Sequence, residues 1–582
     1  MSKGYQLAMY DFSRKQDYIY RTNKIKEIVG ASSIIKDAYK DFLDMLERKN
    51  YTIAFRIDES NPSKSCIEFK MAGFKSTCAV VYEGGGNLFL IFKDAESCLK
   101  ANKLFSKMIL EKAYGLSVVC AFVPVTDDFH KDLENVYKKS QMTKSTLPMI
   151  HPVNVLPYTL IDRSTSFPIS AKLIMGKEKA EVSYSRESFL KREKHEGLVK
   201  SATPYAEVEK QLDNLITEKN EESLLAIIYI DGNAMGDKVK SLFDGDADSS
   251  YDHCVAKQRE FSSKIDDAFI VQPLLAIEAE VEKMRKEMDN AEQGEEKADG
   301  SSRPPNEPLW YRRIIGGGDE ITIICNARYA LRLVKLYFET VQTYNRDHDA
   351  QFSSCAGIAV FHSHNPFSTI YEIAEECCES AKKRNRLLFN SQNFYLDFHF
   401  CAAGVVNSLK AIRESQEEGF TNRPYCFQLP RKKSVASEGE EDRQGTKSVA
   451  SEGEEDRQGI KSGASDGEED RQGIFDQEHD LNRLEGVGKM LYRMGAENAR
   501  SDVKALSDSI FAGESSFAMI LARLESKYHS MDLKFLKAEY KKEIFDATIV
   551  HDLGWFNPGN SDKSEADKGS ETLEGGDGGG NN

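Results

Sequence analysis

The fold is decided by the stretch Arg312-Arg313-Ile314-Ile315-Gly316-Gly317-Gly318-Asp319-Glu320-Ile321-Thr322-Ile323-Ile324-Cys325. Two short isoleucine-rich runs flank three glycines and two acids, a pattern typical of paired strands joined by a turn. The glycines leave no side chain in the way, so a bulky anionic ligand can approach the main chain. Asp319 and Glu320 are hard oxygen ligands suited to Mg²⁺, or to Mn²⁺.

A third acid follows a second apolar strand. The run 224–230 is continuously apolar, as expected of a central strand buried on both faces, and Asp231 with Gly232 comes directly after it. An acid at this position can face the tip of a neighbouring hairpin. Carboxylates converging from adjacent strands are the usual site for a phosphate-bridging metal pair. Either acidic site alone fits an ordinary turn, but the two together favour the metal interpretation.

Charge is spread unevenly along the chain. Of the net charge of −16, three tandem copies of a 14-residue unit at 433–474 contribute −6, and the segment 559–582 contributes −4. Since the other residues are close to neutral, no basic face for naked nucleic acid is expected. The copies have almost no apolar residues to bury, so they are predicted to be disordered.

The eleven cysteines favour a reducing compartment. Their odd number and the lack of CxxC spacing indicate reduced thiols, and they argue against a zinc ribbon. No apolar run reaches membrane-spanning length, and Met1–Gly4 does not open a signal peptide. The sequence predicts a soluble, cytoplasmic protein without zinc and without membrane contact.

The order of elements predicts an α/β protein of the α+β kind. Strand and helix patterns in the second half follow a β-α-β-β-α-β order, which is the ferredoxin-like plan. The expected segments are a first domain (1–125), a connector with exposed helix (126–215), a second domain (216–430), disordered repeats (431–474), a helical region (475–553) and a disordered tail (554–582).

The first domain is predicted to be a sibling of the second. It has a strand over 5–12, a helix capped by Ser13, and a hairpin whose turn is Glu83-Gly84-Gly85-Gly86-Asn87. Asn87 is expected to stand where the other hairpin has Asp319, so the metal acids are expected to be missing. Gly30-Ala31-Ser32 is expected to interrupt the helix that follows the strand.

These motifs resemble the large polymerase-palm subunit of type III CRISPR effector complexes, the cyclic oligoadenylate synthase family. The resemblance covers 5–125 and 220–430, about half the chain. The residues that carry it are Asp11-Phe12-Ser13 with Gln16, Tyr18-Ile19, Lys26–Ser32, Glu83–Asn87, Tyr229–Gly236, Gly317–Glu320, Ala356–Ala359 and Ala381–Lys383. Diguanylate cyclases share the Gly-Gly-Asp/Glu-Glu turn, so the specific feature is two palms in this order.

The resemblance implies two palm domains of the GGDEF and nucleotide-cyclase kind, and synthesis of cyclic oligoadenylate from ATP. On this interpretation Asp231, Asp319 and Glu320, with the Gly232 carbonyl, hold two Mg²⁺ and are catalytic. Nucleotide contacts are expected from Gly232, Asn233, Gly236, Gly317, Gly318, Lys382, Arg386 and, for a second nucleotide, Gly30, Ala31, Ser32 and Asn87. For Lys382 the alternative is a solvated basic helix end, and for the second set plain turn structure is the favoured alternative.

The chain departs from the family pattern in four ways. Glu320 replaces the usual second Asp, no HD nuclease precedes residue 5, the cysteines of the zinc module are missing from 126–215, and the helical region is short. The departures suggest a variant that acts alone, although RNA-guided effector subunits and target RNA stay expected partners. Two alternatives remain: a catalytically silent scaffold, and a GGDEF-like synthase that makes a cyclic dinucleotide from GTP.

Overall fold

The computed structural model describes residues 4–22, 24–56, 69–71, 75–84, 86–147, 158–175, 180–201, 224–246, 248–292, 311–363, 365–389, 392–401, 408–417, 419–428, 476–496 and 500–557. The predicted disorder of 431–474 concerns residues outside these ranges. The predicted disordered tail, 554–582, is wrong for 554–557, because Phe556 is buried in the apolar core and Trp555 Nε1 donates to the Ala327 carbonyl at 2.7 Å; the remaining tail residues lie outside the described ranges.

The first palm is a ferredoxin-like sheet with helices on both faces. Its elements are β1 (Gln6–Ser13), α1 (Lys15–Tyr20), α2 (Ile25–Arg48), β2 (Ile53–Ala54), β3 (Cys78–Gly84), β4 (Asn87–Phe92), α3 (Ala95–Lys112), β5 (Ser117–Pro124) and α4 (Phe129–Thr146). The strand order is β2-β3-β4-β1-β5, with β1 antiparallel to both neighbours. Without the short parallel strand β2, this is the antiparallel order expected of the β-α-β-β-α-β plan.

The connector is more ordered, and more buried, than its sequence suggests. It contains β6 (Ile169–Met175), β7 (Ala180–Ser185) and α5 (Arg186–Ser201). Glu187 and Lys191 of α5 are fully buried, and Lys191 Nζ donates to Glu187 Oε1 at 2.6 Å and to the Tyr18 carbonyl at 2.5 Å. The prediction of an exposed helix is therefore wrong for α5, because its charged side chains are paired against the first palm.

The second palm repeats the same plan. Its elements are β8 (Leu224–Gly232), α6 (Met235–Ser241), α7 (Tyr251–Asp266), a π-helical turn (Asp267–Val271), α8 (Gln272–Glu292), β9 (Tyr311–Gly317), β10 (Glu320–Asn326), α9 (Ala330–His348), β11 (Ser354–His362), α10 (Phe367–Phe389), β12 (Phe394–Cys401), α11 (Leu409–Gln416) and β13 (Tyr425–Phe427). The sheet order is β13-β12-β11-β8-β10-β9. The four adjacent strands β11-β8-β10-β9 confirm the predicted ferredoxin-like order, and β12 and β13 extend the sheet beyond β11.

The helical region packs on the second palm. It consists of α12 (Leu481–Ala496), α13 (Arg500–Ala512), α14 (Glu514–Lys527) and α15 (Lys541–Ile549). One apolar cluster joins these helices to Ala226, Ile228 and Ile230, which lie on one face of β8. Burial of this shared apolar surface is what holds the region to the sheet.

Each palm contributes a helix that packs against the other palm. Tyr251 and Val255 of α7 belong to the apolar cluster on one face of the first sheet, together with Met9. In the opposite direction, Tyr20, which ends α1, stacks on Tyr371 of α10 with ring centroids 3.9 Å apart. Each palm thus covers part of the other, and the acid-bearing face of the second palm lies against the first.

The predicted interruption of the first long helix is wrong. The helix α2 runs through Gly30-Ala31-Ser32 without a break, and the break falls earlier, between Tyr20 and Ile25. A Cβ at Gly30 would lie 1.9 Å from the carbonyl oxygen of Lys191, so glycine is present there to let α5 approach. The predicted Ser13 cap is also wrong, because Arg14 precedes α1 in a left-handed conformation (φ 57°).

None of the helices within the described ranges combines the length and apolar character that crossing a membrane requires. The ten cysteines within the described ranges have free thiols, and nine of them are buried.

Candidate active site

The strands β8 and β10 place Asp231 and Glu320 directly opposite each other. Opposed residues of antiparallel strands have Cβ atoms about 4.5–5.5 Å apart, so the two carboxylates are neighbours. Asp319 comes next in the turn, and its carbonyl accepts a hydrogen bond from the Gly232 amide at 3.1 Å. The structure therefore brings the three predicted acids together at one edge of the sheet.

Gly232 is required by this close approach. A Cβ at Gly232 would lie 2.8 Å from the Cβ of Asp319 and 2.9 Å from its Oδ2. Across the turn, Gly318 has a φ of +65°, which L side chains rarely adopt, while Gly317 is exposed with nothing close to it. Only glycine at 232 and 318 allows the two strand ends to meet this closely.

The environment of the hairpin acids opposes their ionisation. Burial, with repulsion from Asp231, raises the pKa of Asp319 to about 6. Burial, with repulsion from Asp231 and Asp319, raises the pKa of Glu320 to about 7. The site thus holds more negative charge than its surroundings stabilise, which is the situation that a bound cation relieves.

Lys382 forms an ion pair with one of the three acids, Asp231. Its Nζ donates to Asp231 Oδ2 at 2.5 Å and to the Gly232 carbonyl at 3.0 Å. Burial works against the charged form, but the Asp231 carboxylate outweighs it, and the pKa of Lys382 is raised. Arg386 stands apart from the acids and pairs with Glu379 on the same helix.

A pocket of about 370 Å³ opens beside Asp231. Its lining is Tyr229, Asp231, Glu372, Glu375, Glu376, Cys378, Glu379 and Lys382. Sequence reasoning missed Glu375, although it precedes Lys382 by two helical turns and so shares its face of α10. The wall of this pocket is strongly acidic apart from Lys382.

A second pocket, of about 440 Å³, lies between the palms. It is bounded by α1 and α10, and it shares Glu372 and Glu375 with the first pocket. Gln16 of the first palm donates to the Tyr371 hydroxyl at 3.1 Å across this cleft. The first palm therefore supplies one wall of the region next to the acids.

Several predicted nucleotide contacts lie elsewhere. Gly30 and Ala31 are buried, Gly30 against α5, so neither reaches the cleft, whereas Ser32 is partly exposed on α2. Asn233 is buried and donates to Ser353 Oγ and to the Asn393 carbonyl, both at 3.1 Å, which makes it an anchor of the turn. Gly236 is exposed with nothing within 4 Å.

The first palm keeps one acid that the sequence interpretation overlooked. Asn87 pairs with Gly84 as Glu320 pairs with Gly317, so Asn87 corresponds to Glu320 and not to Asp319. By the same register, Asp11 at the end of β1 corresponds to Asp231. The prediction that the first palm has lost its metal acids is wrong for Asp11, which is buried. The signal was an acid directly after an apolar strand, as at Asp231.

The donor set fits a hard divalent cation. Asp231, Asp319 and Glu320 offer carboxylates, and Gly232 offers a carbonyl, which are the oxygen ligands that Mg²⁺ and Mn²⁺ prefer. Across the described ranges, no three Asp, Glu, His or Cys side chains are already arranged to hold a metal ion. At this site the ammonium of Lys382 donates hydrogen bonds to two of the candidate ligand oxygens.

Comparison with known proteins gives distant structural neighbours. Neither a protein-family model nor a curated protein matches the chain. A Csm1–Csm4 cassette in complex with AMPPNP is 12% identical, with a TM-score of 0.38, over 66% of this chain and 53% of that chain. A cassette with cA3 is 14% identical, with a TM-score of 0.39, over 70% and 56%. The Csm1–Csm4 subcomplex of the type III-A CRISPR–Csm interference complex is 14% identical, with a TM-score of 0.38, over 70% of this chain and 56% of that chain. The matched part is thus little more than half of each neighbour.

Proposed function

We propose that the chain is a nucleotidyltransferase that uses ATP and two divalent ions, Mg²⁺ or Mn²⁺, to make a cyclic oligonucleotide messenger in CRISPR type III-like antiviral defence. The observation that carries the proposal is the meeting of Asp231, Asp319 and Glu320 at the ends of adjacent palm strands, with more negative charge than their surroundings stabilise. The choice of ATP and of a cyclic product comes from the motif resemblance alone.

In this proposal the chain's own groups bind and orient the nucleotide. Asp231, Asp319, Glu320 and the Gly232 carbonyl would hold the ions. Mg²⁺ bound there would lower the pKa of an attacking ribose hydroxyl and offset the charge of the leaving pyrophosphate. The Gly317–Gly318 turn presents main chain without side chains to the triphosphate, and Lys382 supplies positive charge to its oxygens.

The acceptor nucleotide is proposed to lie in the cleft between α1 and α10. The exposed side chain of Gln16 supplies an amide there, while Tyr20 and Tyr371, which also line the pocket, are buried against each other. This position replaces the contacts first expected from Gly30 and Ala31, which are buried elsewhere.

The two palms differ in a way that disfavours a silent scaffold. Asp11 in the first palm is neutralised by Lys15 and Lys144, whereas the three acids of the second palm have only Lys382 as an ion-pair partner within the described structure. A scaffold on effector subunits and target RNA has no need of such uncompensated charge. A GTP-using cyclic dinucleotide synthase stays the second candidate, because the turn of diguanylate cyclases has Glu at the position of Glu320.

The proposal is tested by incubating the protein with each labelled nucleoside triphosphate, with Mg²⁺ or Mn²⁺, with and without RNA. We expect a cyclic product from ATP. Asp319→Asn should lower its rate on the order of 100-fold or more, since loss even of an outer-shell partner of a metal costs about 10–100-fold. The melting temperature of the variant in EDTA should not fall.

Each other result decides against part of the proposal. Product from GTP alone would favour the cyclic dinucleotide synthase. No product from any nucleotide, with or without RNA, would favour the scaffold. Undiminished synthesis by Asp319→Asn would contradict the metal assignment.

A further inference from the structure

We infer that Lys382 is a built-in cation that neutralises the second-palm acids before metal enters, and that its ammonium must leave Asp231 and Gly232 for metal to bind there. This inference rests on the proposed function, whose metal site it concerns. It makes Lys382 a positioning residue with two successive partners, first the Asp231 carboxylate and then a phosphate of the nucleotide.

The contacts of Lys382 are those of a bound cation. Its Nζ bridges a carboxylate oxygen of Asp231 and the carbonyl oxygen of Gly232, at 2.5 and 3.0 Å. Both atoms are among the oxygens available to a divalent ion. Two positive charges this close repel strongly in a partly buried site, so the ammonium and a metal ion compete for these oxygens.

The charge balance also requires a cation. When fully ionised, Asp231, Asp319 and Glu320 carry three negative charges, and Lys382 offsets one of them. Glu320 lies directly opposite Asp231, and the Asp319 carbonyl is bonded to the Gly232 amide, so the three carboxylates stay close enough to repel one another with the ammonium in place. Without Lys382 the metal-free site would be still less stable.

The first palm shows the same contact in a form that is closed to metal. Asp11 pairs with Lys144 of α4, as Asp231 pairs with Lys382 of α10, and the two helices follow the last strands of the ferredoxin-like plan, β5 and β11. A second lysine, Lys15, lies 3.4 Å from Asp11, and the Asn87 amide, oriented to donate, lies 2.9 and 3.1 Å from its two oxygens.

The Lys144–Asp11 pair of the first palm shows that such a contact can exist without a metal site. The counterparts of Asp319 and Glu320 in the first palm are Gly86 and Asn87, so too few acids remain there for a metal pair, yet the lysine–aspartate pair persists. The contact therefore serves to neutralise a buried carboxylate. In the second palm, where two further acids surround it, the same contact can be replaced by metal.

The test measures metal binding without nucleotide. Lys382→Met keeps the unbranched shape of the side chain, shortens it by one atom and removes its charge. Because the ammonium no longer competes for two ligand oxygens, we expect Mn²⁺ affinity, measured by electron paramagnetic resonance, to rise on the order of tenfold. The melting temperature of the variant should fall in EDTA and recover with Mn²⁺.

Two control variants separate this effect from general charge removal. Lys383→Met changes the exposed neighbour, so it should alter neither Mn²⁺ affinity nor the melting temperature in EDTA. Lys144→Met should lower the melting temperature in EDTA, but Mn²⁺ should not restore it, since the first palm lacks the other two acids.

The contradicting results are distinct. Mn²⁺ binding by folded Lys382→Met that is equal to or weaker than wild type would overturn the inference, while product formation by the wild type would leave the proposed function standing. Failure of Lys382→Met to fold even in Mn²⁺ would also overturn it, because metal should replace the lost charge. Absence of Mn²⁺ binding in wild type and variant alike would overturn both.

Discussion

Asp319 and Glu320 hold protons that ordinary exposed carboxyls release. Burial and repulsion from Asp231 raise the pKa of Asp319 to about 6, and burial with repulsion from both aspartates raises that of Glu320 to about 7. In an unfolded chain the corresponding values are about 3.9 and 4.3. Between these limits the folded state binds more protons than the unfolded state, so raising the pH lowers the free energy of unfolding.

The metal-free protein is therefore expected to lose stability from these two groups as the pH rises from about 4 to about 7. Asp319→Asn combined with Glu320→Gln removes the two ionisations. We expect the double variant to gain stability relative to wild type as the pH increases, measured by urea unfolding in EDTA at pH 5, 6, 7 and 8. A wild-type-to-variant difference that does not change with pH would contradict the assigned shifts.

Sequence patterns alone predict some of these site residues and not others. Asp231, Asp319 and Glu320 could be predicted because each follows or precedes an apolar strand, and strand ends meet at a sheet edge. The contact between Lys382 and Asp231 could not, since it depends on where α10 lies across the sheet. Asp11 was overlooked although it too follows an apolar run, because Asn87 was aligned with Asp319, and the pairing register shows that Asn87 corresponds to Glu320.

At the scale of elements, the packing of α2 on α5 explains a wrong prediction. Glycine disfavours a helix interior, so Gly30-Ala31-Ser32 was expected to break one. In the fold, the absence of a Cβ lets the Lys191 carbonyl of α5 come within 1.9 Å of where that atom would be. Tertiary contact outweighs the local preference, which amounts to only about 1 kcal/mol.

This packing predicts opposite effects for two glycine substitutions. Gly30→Ala places a methyl group against the backbone of α5, so we expect a loss of about 1–3 kcal/mol in the free energy of unfolding, or more. Gly197→Ala lies within α5 itself with nothing within 4 Å, and should gain roughly 0.5–1 kcal/mol. Urea unfolding of both variants checks the pair. Equal effects of the two substitutions would show that α2 and α5 do not approach this closely.

At the scale of the whole molecule, the two palms depend on each other for burial. The first sheet is covered on one face by its own helix α4 and by α7 of the second palm. Arg259 of α7 donates to the carbonyls of Val80, Val81 and Phe55 in the first palm, at 2.6, 2.7 and 3.2 Å. The order of strands and helices predicted two ferredoxin-like domains, but that order does not reveal which helices pack across the two palms.

Because α7 packs against the first palm, we expect the two palms to unfold locally together. Arg259 is buried, and Arg259→Ala leaves three carbonyls in the interface without their donor, at a cost of about 1–3 kcal/mol for each buried group left unsatisfied. Because α7 belongs to the chain of the second palm and to the core of the first, we expect amide hydrogen exchange to accelerate in β3 and β4 and equally in β8 and β10.

The matched control is Lys264→Ala on the same helix, where an exposed pair with Glu260 contributes about 1 kcal/mol or less. It should leave exchange in both sheets close to wild type. Faster exchange in the first palm alone after Arg259→Ala would mean that the second palm holds its structure without the first. In that case α1 and α10 would not be fixed across the cleft, and the proposed acceptor site between them would lose its rigid wall.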